Sequence, residues 1–118
     1  MIDSHDIVVR LRDCWTGFPN WGMKTSVIVG RPQYEQDDYD FWSYPTAVPE
    51  DYFEGLRMKP SMGLFAIACV HRYIHPKELS LIGFDSVLSG AGGGHHWAGE
   101  RMIVENLDME IKDLGALH

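Results

Sequence analysis

The stretch from Lys59 to Phe84 constrains the fold of this chain more than any other part of the sequence. It opens with a Pro-Ser pair, continues with apolar residues at helical spacing, breaks at Pro76, and resumes as a short apolar run closed by Gly83. This order predicts a loop, a helix, a turn, a strand and a glycine turn. Ser61 stands where an N-cap belongs, so the first backbone N–H groups of the helix would point towards an anion such as a phosphate.

The flanking segments predict further strands and helices. Ile7 to Leu11 and Thr25 to Val29 are β-branched runs typical of strands. The acidic and aromatic segment from Gln33 to Arg57 predicts an irregular insertion with one helix, Pro49 to Leu56. After a glycine-rich loop, Trp97 to Leu114 predicts a last helix. Its apolar stripe consists of Met102, Ile103, Leu107, Ile111 and Leu114.

The composition is that of a small globular protein with a negatively charged surface. The 118 residues are 45% apolar and 23% charged, and the formal net charge is −7. This number of apolar side chains predicts one modest core and a single α/β domain over residues 1–118. The negative charge argues against a general nucleic-acid surface. No apolar run approaches the roughly 18 residues that a membrane span requires.

Three segments occur in the order in which one enzyme family carries its motifs. They are Ile2 to Ser26, then Pro60 to Leu64 with the later run Glu78 to Phe84, and finally His95 with four residues before Glu100 and the sequence ERMIVENL. In that order, they resemble the second half of the large sialyl motif, the small motif and the very small motif. These motifs belong to the eukaryotic-type sialyltransferases, glycosyltransferase family 29.

This resemblance implies the transfer of sialic acid from CMP-sialic acid to a hydroxyl group of an acceptor glycan. The reaction would invert the anomeric centre and would need neither a metal ion nor a covalent intermediate. The implied fold is a Rossmann-like three-layer sandwich, a variant of the GT-A-like sialyltransferase fold. The chain starts after the strand and glycine-asparagine loop that open the large motif, so we expect a truncated domain. Either another segment, a second copy or a complementing chain would then cover the strand edge left unpaired, or the protein is a fragment.

The resemblance also assigns site residues. His95 corresponds to the family's catalytic base, and imidazole suits that role because it titrates near neutral pH. Ser61 and Gly63 correspond to positions that hold the CMP moiety and the sialic acid. Five further residues are candidates for substrate binding. They are Arg10 and Arg12 near the donor phosphate, Gly83 and Phe84 near the nucleotide, and His96.

Simpler interpretations remain open for each position. The adjacent histidines also fit polar residues before a helix, the serine and glycine fit an ordinary helix start, and the arginines fit a solvated strand end. For the whole protein, the main alternative is a non-catalytic or split nucleotide-sugar-binding remnant of a sialyltransferase. A small structural or assembly protein, whose aromatic insertion forms an interface, is a third possibility.

No metal ion or other cofactor is expected. His71 and His75 are four residues apart on the predicted helix, but no carboxylate or cysteine lies at ligand spacing, which favours a solvated histidine pair. The two cysteines are in neither a redox nor a metal-binding spacing. Pro76 and Lys77 occupy the place of the family's usual disulfide cysteine, so a reducing cytoplasm is the predicted location.

Overall fold

The structure is a computed structural model that describes residues 7–11, 26–34, 40–44, 46–81, 90 and 93–114. These residues fall into two compact units, one reaching Ala47 and the other starting at Val48. The two units are described separately below. A single domain over residues 1–118 stays a prediction.

The first unit is built on a three-stranded parallel sheet. Its strands are β1 (Val9–Leu11), β2 (Val27–Gly30) and β3 (Asp40–Ser43), in the spatial order β1-β2-β3. A short 3-10 helix, Pro32–Tyr34, follows β2. Valine side chains of this sheet are buried, as expected for β-branched residues on a pleated surface. They are those of Val8, Val27 and Val29.

Two of these strands were predicted and one was not. The structure confirms strands at both β-branched runs, with β2 shifted towards Gly30. Strand β3 lies inside the acidic and aromatic segment that was predicted to be irregular. It pairs with β2 along its whole length, and the N–H group of Tyr44 extends the pairing by donating to the carbonyl oxygen of Gly30 at 2.7 Å.

The second unit has two α-helices and a two-stranded parallel sheet among its described residues. In chain order, its elements are the 3-10 helix Glu50–Phe53, α1 (Met62–Tyr73), β4 (Glu78–Leu81), α2 (Trp97–Glu105) and β5 (Glu110–Asp113). The predicted helix from Pro49 is therefore shorter than expected and is a 3-10 helix. The predicted strand after Pro76 is confirmed as β4.

Helix α1 begins at the predicted cap. Ser61 has an extended backbone, and its Oγ accepts a hydrogen bond from the N–H group of Leu64 at 3.1 Å. This bond satisfies one of the amides that a helix start leaves without an acceptor. Every residue from Leu64 to Val70 is buried, so α1 is covered all round in its central turns. After the helix, His75 has a φ of 49°, a left-handed conformation in which glycine is the usual residue.

The core of the second unit forms between α1, α2 and the two strands. Its buried members are Leu64, Ile67, Leu81 and Val104. Half-buried apolar side chains surround these four: Phe53, Leu56, Leu79, Trp97, Ile103, Leu107, Met109 and Ile111. Full burial of one such aliphatic side chain stabilises the fold by about 1.5–3 kcal/mol, so this cluster is a main source of the unit's stability.

The prediction of one helix from Trp97 to Leu114 is wrong beyond Glu105. Helix α2 ends there, and the chain continues as β5, which pairs in parallel with β4. Met102, assigned to the apolar stripe, is 63% exposed. The apolar residues after α2 pack on the core from the bend before β5, with Leu107 and Met109, and from β5 itself, with Ile111.

The observed class is α/β with short parallel strands, which agrees with the predicted class. The Rossmann-like three-layer arrangement stays a prediction. Among the helices that the structure describes, none combines the length and the apolar character needed to cross a membrane.

Candidate functional site

Residues from two distant segments meet at the start of α1. The side chain of Glu100, in the first turn of α2, is fully buried. Its Oε1 accepts the Oγ–H group of Ser61 at 2.6 Å, and its Oε2 accepts the N–H group of Ser61 at 2.9 Å. Hydrogen bonds to a carboxylate are stronger than neutral ones, so this pair fixes the start of α2 against the start of α1.

The protein itself therefore places an anion, the carboxylate of Glu100, at the start of α1. A carboxylate in this position is favoured by the positive end of the helix dipole. Ser61 uses both of its donor groups on Glu100, and its Oγ also caps Leu64. Met62 and Gly63 are the first residues of α1, and their N–H groups have no acceptor within the helix. As far as the described residues go, these two amides are what the helix start offers to an external ligand.

His95 lies beside the same helix start. Its Nδ1–H group donates to the carbonyl oxygen of Lys59 at 3.0 Å, two residues before Ser61. A carbonyl oxygen only accepts hydrogen bonds, so Nδ1 carries the proton and the neutral ring has its lone pair on Nε2. The ring of Trp97 lies edge-on to the imidazole with a centroid distance of 5.1 Å. Nε2 is thus available as a proton acceptor, with no hydrogen-bond partner among the described residues.

His96 has the opposite arrangement. The N–H group of Arg57 donates to Nδ1 of His96 at 3.2 Å, so the neutral ring carries its proton on Nε2. Gly99 makes room for this ring, because a Cβ atom at that position would lie 2.7 Å from Nδ1 of His96. Of the two adjacent histidines, only His95 is in the tautomer that a base acting through Nε2 requires.

The remaining predicted site residues are divided between the two units and the undescribed segments. Gly63 lies in the first turn of α1, next to Ser61. Arg10 belongs to β1 of the first unit, where it is buried. Arg12, Gly83 and Phe84 lie outside the described residues. In the second unit, the structure brings Ser61, Gly63, His95 and His96 into one region.

Glu100 is the residue of this region whose role the sequence did not reveal. It was noted only as the last residue of a histidine-containing pattern. An acidic residue in the first turn of a helix was the one available signal, since that position favours carboxylates. Its burial and its bonds to Ser61, 39 residues away, depend on tertiary packing.

A second polar cluster occupies the opposite end of α1. Nε2 of His71 lies 2.6 Å from Oδ1 of Asp108, and Nε2 of His75 lies 3.3 Å from Oδ2 of the same carboxylate. The hydroxyl group of Tyr52 is 2.8 Å from Nδ1 of His71. The hydrogen bond with His71 is the largest cause that lowers the pKa of Asp108, and burial raises the pKa of Tyr52. The sequence had given no carboxylate partner to this histidine pair.

Comparisons with known protein families, with curated proteins and with solved structures found no match to the chain. The resemblance to sialyl motifs therefore stays a prediction that depends on the chain's own residues.

Proposed function

We propose that this chain is a sialyltransferase-like glycosyltransferase with His95 as its general base. It would transfer sialic acid from CMP-sialic acid to an acceptor glycan hydroxyl, within a Rossmann-like sandwich. One observation supports this most. Lys59 and Ser61 of the small-motif region contact His95 and Glu100 of the very small motif, across 36 and 39 residues of sequence. If the similarity to the sialyl motifs were a coincidence, there would be no reason for these residues to be in contact.

The proposed chemistry uses the free lone pair of His95. Nε2 takes the proton of the acceptor hydroxyl while the oxygen attacks the anomeric carbon of sialic acid. The bond from that carbon to the phosphate oxygen breaks, and CMP leaves with the bonding electrons. The imidazolium formed at His95 keeps its Nδ1–H bond to Lys59, whose carbonyl dipole stabilises the new positive charge.

Glu100 would act as a positioning residue. It lies one helical turn after the segment that carries His95, and its two bonds to Ser61 hold that turn against α1. The amides of Met62 and Gly63 would face the anionic donor, whose carboxylate and phosphate both suit a helix start. Positioning of this kind is a large part of catalysis when the reacting groups must be aligned.

A transfer assay with radiolabelled CMP-sialic acid and a panel of acceptor glycans tests the proposal. The decisive variant is His95→Asn, because the asparagine amide can still donate to Lys59 but cannot act as a base. We expect it to lower the transfer rate by about 100-fold or more. Glu105→Gln, which removes an exposed carboxylate from the end of α2, serves as the control and should retain activity. Equal rates in the native protein and His95→Asn would overturn the assignment of the base.

The alternative function is a nucleotide-sugar-binding remnant without catalysis, acting alone or with a complementing chain. Glu100 favours a degenerate site with weakened donor binding, because a buried carboxylate at the start of α1 lowers the attraction of that helix end for a phosphate. Calorimetry with CMP separates the two functions. Binding without transfer supports the remnant, binding with His95-dependent transfer supports the enzyme, and absence of both contradicts each of them.

A further inference from the structure

The cluster at the C-terminal end of α1 has the composition of a metal site. It combines two imidazoles with a carboxylate, and the potential ligand atoms of His71, His75 and Asp108 all lie within 4.8 Å of one another. We propose that these three residues bind a divalent transition-metal ion, for which zinc is the best match. This proposal is independent of the transferase activity, which was inferred to need no metal.

Binding would require the ligand atoms, which all lie within 4.8 Å of one another, to move to the spacing of a tetrahedral site. Zinc bonds to nitrogen and oxygen are about 2.0–2.1 Å long, so a tetrahedral ion holds neighbouring ligand atoms roughly 3.3 Å apart. Nε2 of His75 and Oδ2 of Asp108 already have this separation, at 3.3 Å. Nε2 of His71 and Oδ1 of Asp108 are closer, at 2.6 Å, because they share a hydrogen bond that the ion would replace. Water would fill the remaining coordination position.

Tyr52 supplies the outer partner that metal-bound histidines usually have. In the metal-free protein, Asp108 accepts the Nε2–H group of His71, and Nδ1 of His71 accepts the hydroxyl proton of Tyr52. On binding, the ion takes Nε2 and the proton of that nitrogen passes to solvent, while Nδ1 takes up a proton from solvent. His71 thus stays neutral, and its new Nδ1–H group donates to the tyrosine oxygen. A hydroxyl group can donate or accept, so Tyr52 suits both states.

The positions of the ligands indicate a structural role for the ion. His71 lies in the last turn of α1, His75 follows the helix, and Asp108 lies between α2 and β5. The ion would therefore join the end of α1 to the chain just before β5. Met62–Tyr73 has twelve residues, so the site is roughly 18 Å from the start of α1, at 1.5 Å per residue.

His75 is held in a conformation that favours glycine, with its side chain near the other ligands. Its φ is 49°, and its ring centroid lies 4.5 Å from that of His71. A glycine would be easier to accommodate here, so His75→Gly removes one ligand without strain on the backbone. This makes it a cleaner test variant than a change inside the helix.

Calorimetric titration of the tag-free, chelator-treated protein with zinc chloride tests the site. We expect saturable binding of one ion per chain that depends on this cluster. Asp108→Asn and His75→Gly should each weaken it by about tenfold or more, and Tyr52→Phe by about tenfold. Glu105→Gln removes another exposed carboxylate near the end of α2 and should leave the affinity unchanged. Zinc should also raise the Tm of the native protein more than that of Asp108→Asn.

Three results would overturn the proposal. One is an absence of saturable zinc binding to the native chain. Another is native-like affinity in both Asp108→Asn and His75→Gly, provided that circular dichroism shows each variant to be folded, because the ion would then bind elsewhere. Loss of binding in Glu105→Gln as large as that in Asp108→Asn would equally contradict a specific site.

Discussion

Removal of the Ser61 hydroxyl should destabilise the protein far more than an ordinary serine-to-alanine change. In Ser61→Ala, the N–H group of Leu64 loses its cap, which costs about 1 kcal/mol. Oε1 of the buried Glu100 also loses a charge-assisted hydrogen bond, worth about 1.5–3 kcal/mol. Among the hydrogen bonds that the described residues make to this carboxylate, the one from the Ser61 N–H group to Oε2 remains. The expected loss in free energy of unfolding is therefore about 2.5–4 kcal/mol.

Urea denaturation followed by circular dichroism measures this loss, and Ser80→Ala is the matched control. Ser80 is a half-buried serine of β4, and its hydroxyl makes no hydrogen bond among the described residues, so the change should stay within about 0.5 kcal/mol. Tryptophan fluorescence should report the same transition midpoint if unfolding is two-state.

A double-mutant cycle isolates the contact itself. Glu100→Gln keeps the side-chain volume, and its amide can still bond to Ser61, so it should cost less than Ser61→Ala. Without the buried charge, the loss of the serine hydroxyl matters less, and we expect a coupling of about 1 kcal/mol or more. Two results would refute the pairing of Ser61 with Glu100. One is a loss in free energy of unfolding below about 1 kcal/mol in Ser61→Ala. The other is a double variant whose loss equals the sum of the two single losses within about 0.5 kcal/mol.

Three further predictions concern single residues of the second unit. Gly99→Ala should destabilise the protein by about 1 kcal/mol in a thermal melt. Overpacking against His96 costs about 1–3 kcal/mol, and the better helix propensity of alanine offsets up to about 1 kcal/mol of this. An unchanged or higher Tm would contradict the prediction. Burial raises the pKa of the Cys69 thiol to about 12 from 9.0, so mass spectrometry should find Cys69 unmodified by thiol reagents at neutral pH. As the pH rises, the thiol of the unfolded chain ionises before that of the folded protein. The contribution of Cys69 to the free energy of unfolding is therefore fully present below about pH 9 and is lost as the pH rises towards 12. If the native protein instead became more stable relative to Cys69→Ala over this pH range, the prediction would be contradicted. In the presence of a chelator, His75→Gly should raise the free energy of unfolding by about 1 kcal/mol. Glycine tolerates the positive φ at this position, and the exposed ion pair of His75 with Asp108 contributes little stability. A loss of stability would show that the contacts of the histidine contribute more than the backbone strain costs.

The elements predicted correctly are those specified by local chemistry. Ser61 was identified as an N-cap because a serine followed by apolar residues at helical spacing is a local signal, and the structure confirms it. The two β-branched runs became strands for the same reason. Strand β3 was missed because its sequence, Asp-Phe-Trp-Ser, has no β-branched residue and is a strand through its pairing with β2.

The error in the last helix has a specific physical cause. Ile103, Leu107 and Ile111 are four residues apart and fit a helix, while Leu107, Met109 and Ile111 are two apart and fit a strand. This segment of the sequence therefore shows both the helical and the strand periodicity of its apolar residues. Pairing with β4 and packing on the core favour the strand, and this is a tertiary effect that a local pattern cannot reveal.

From the sequence, candidate site residues could be identified only by side-chain type. His95 was assigned as a base because imidazoles carry chemistry, whereas His71 and His75 were noted but assigned to a solvated pair. The acidic partners in these sites could not be identified, since Glu100 and Asp108 are ordinary acidic residues until the fold brings them to Ser61 and to the histidine pair. Sequence distances of 33 to 39 residues separate these contacts.

An NMR titration of isotopically labelled protein with CMP tests most directly whether the start of α1 and His95 form one ligand site. The amide signals of Met62 and Gly63 and the ring signals of His95 should shift together, and all should give the same Kd. Shifts confined to other parts of the chain, or a His95 ring that does not respond while the amides do, would contradict a shared site for a nucleotide sugar.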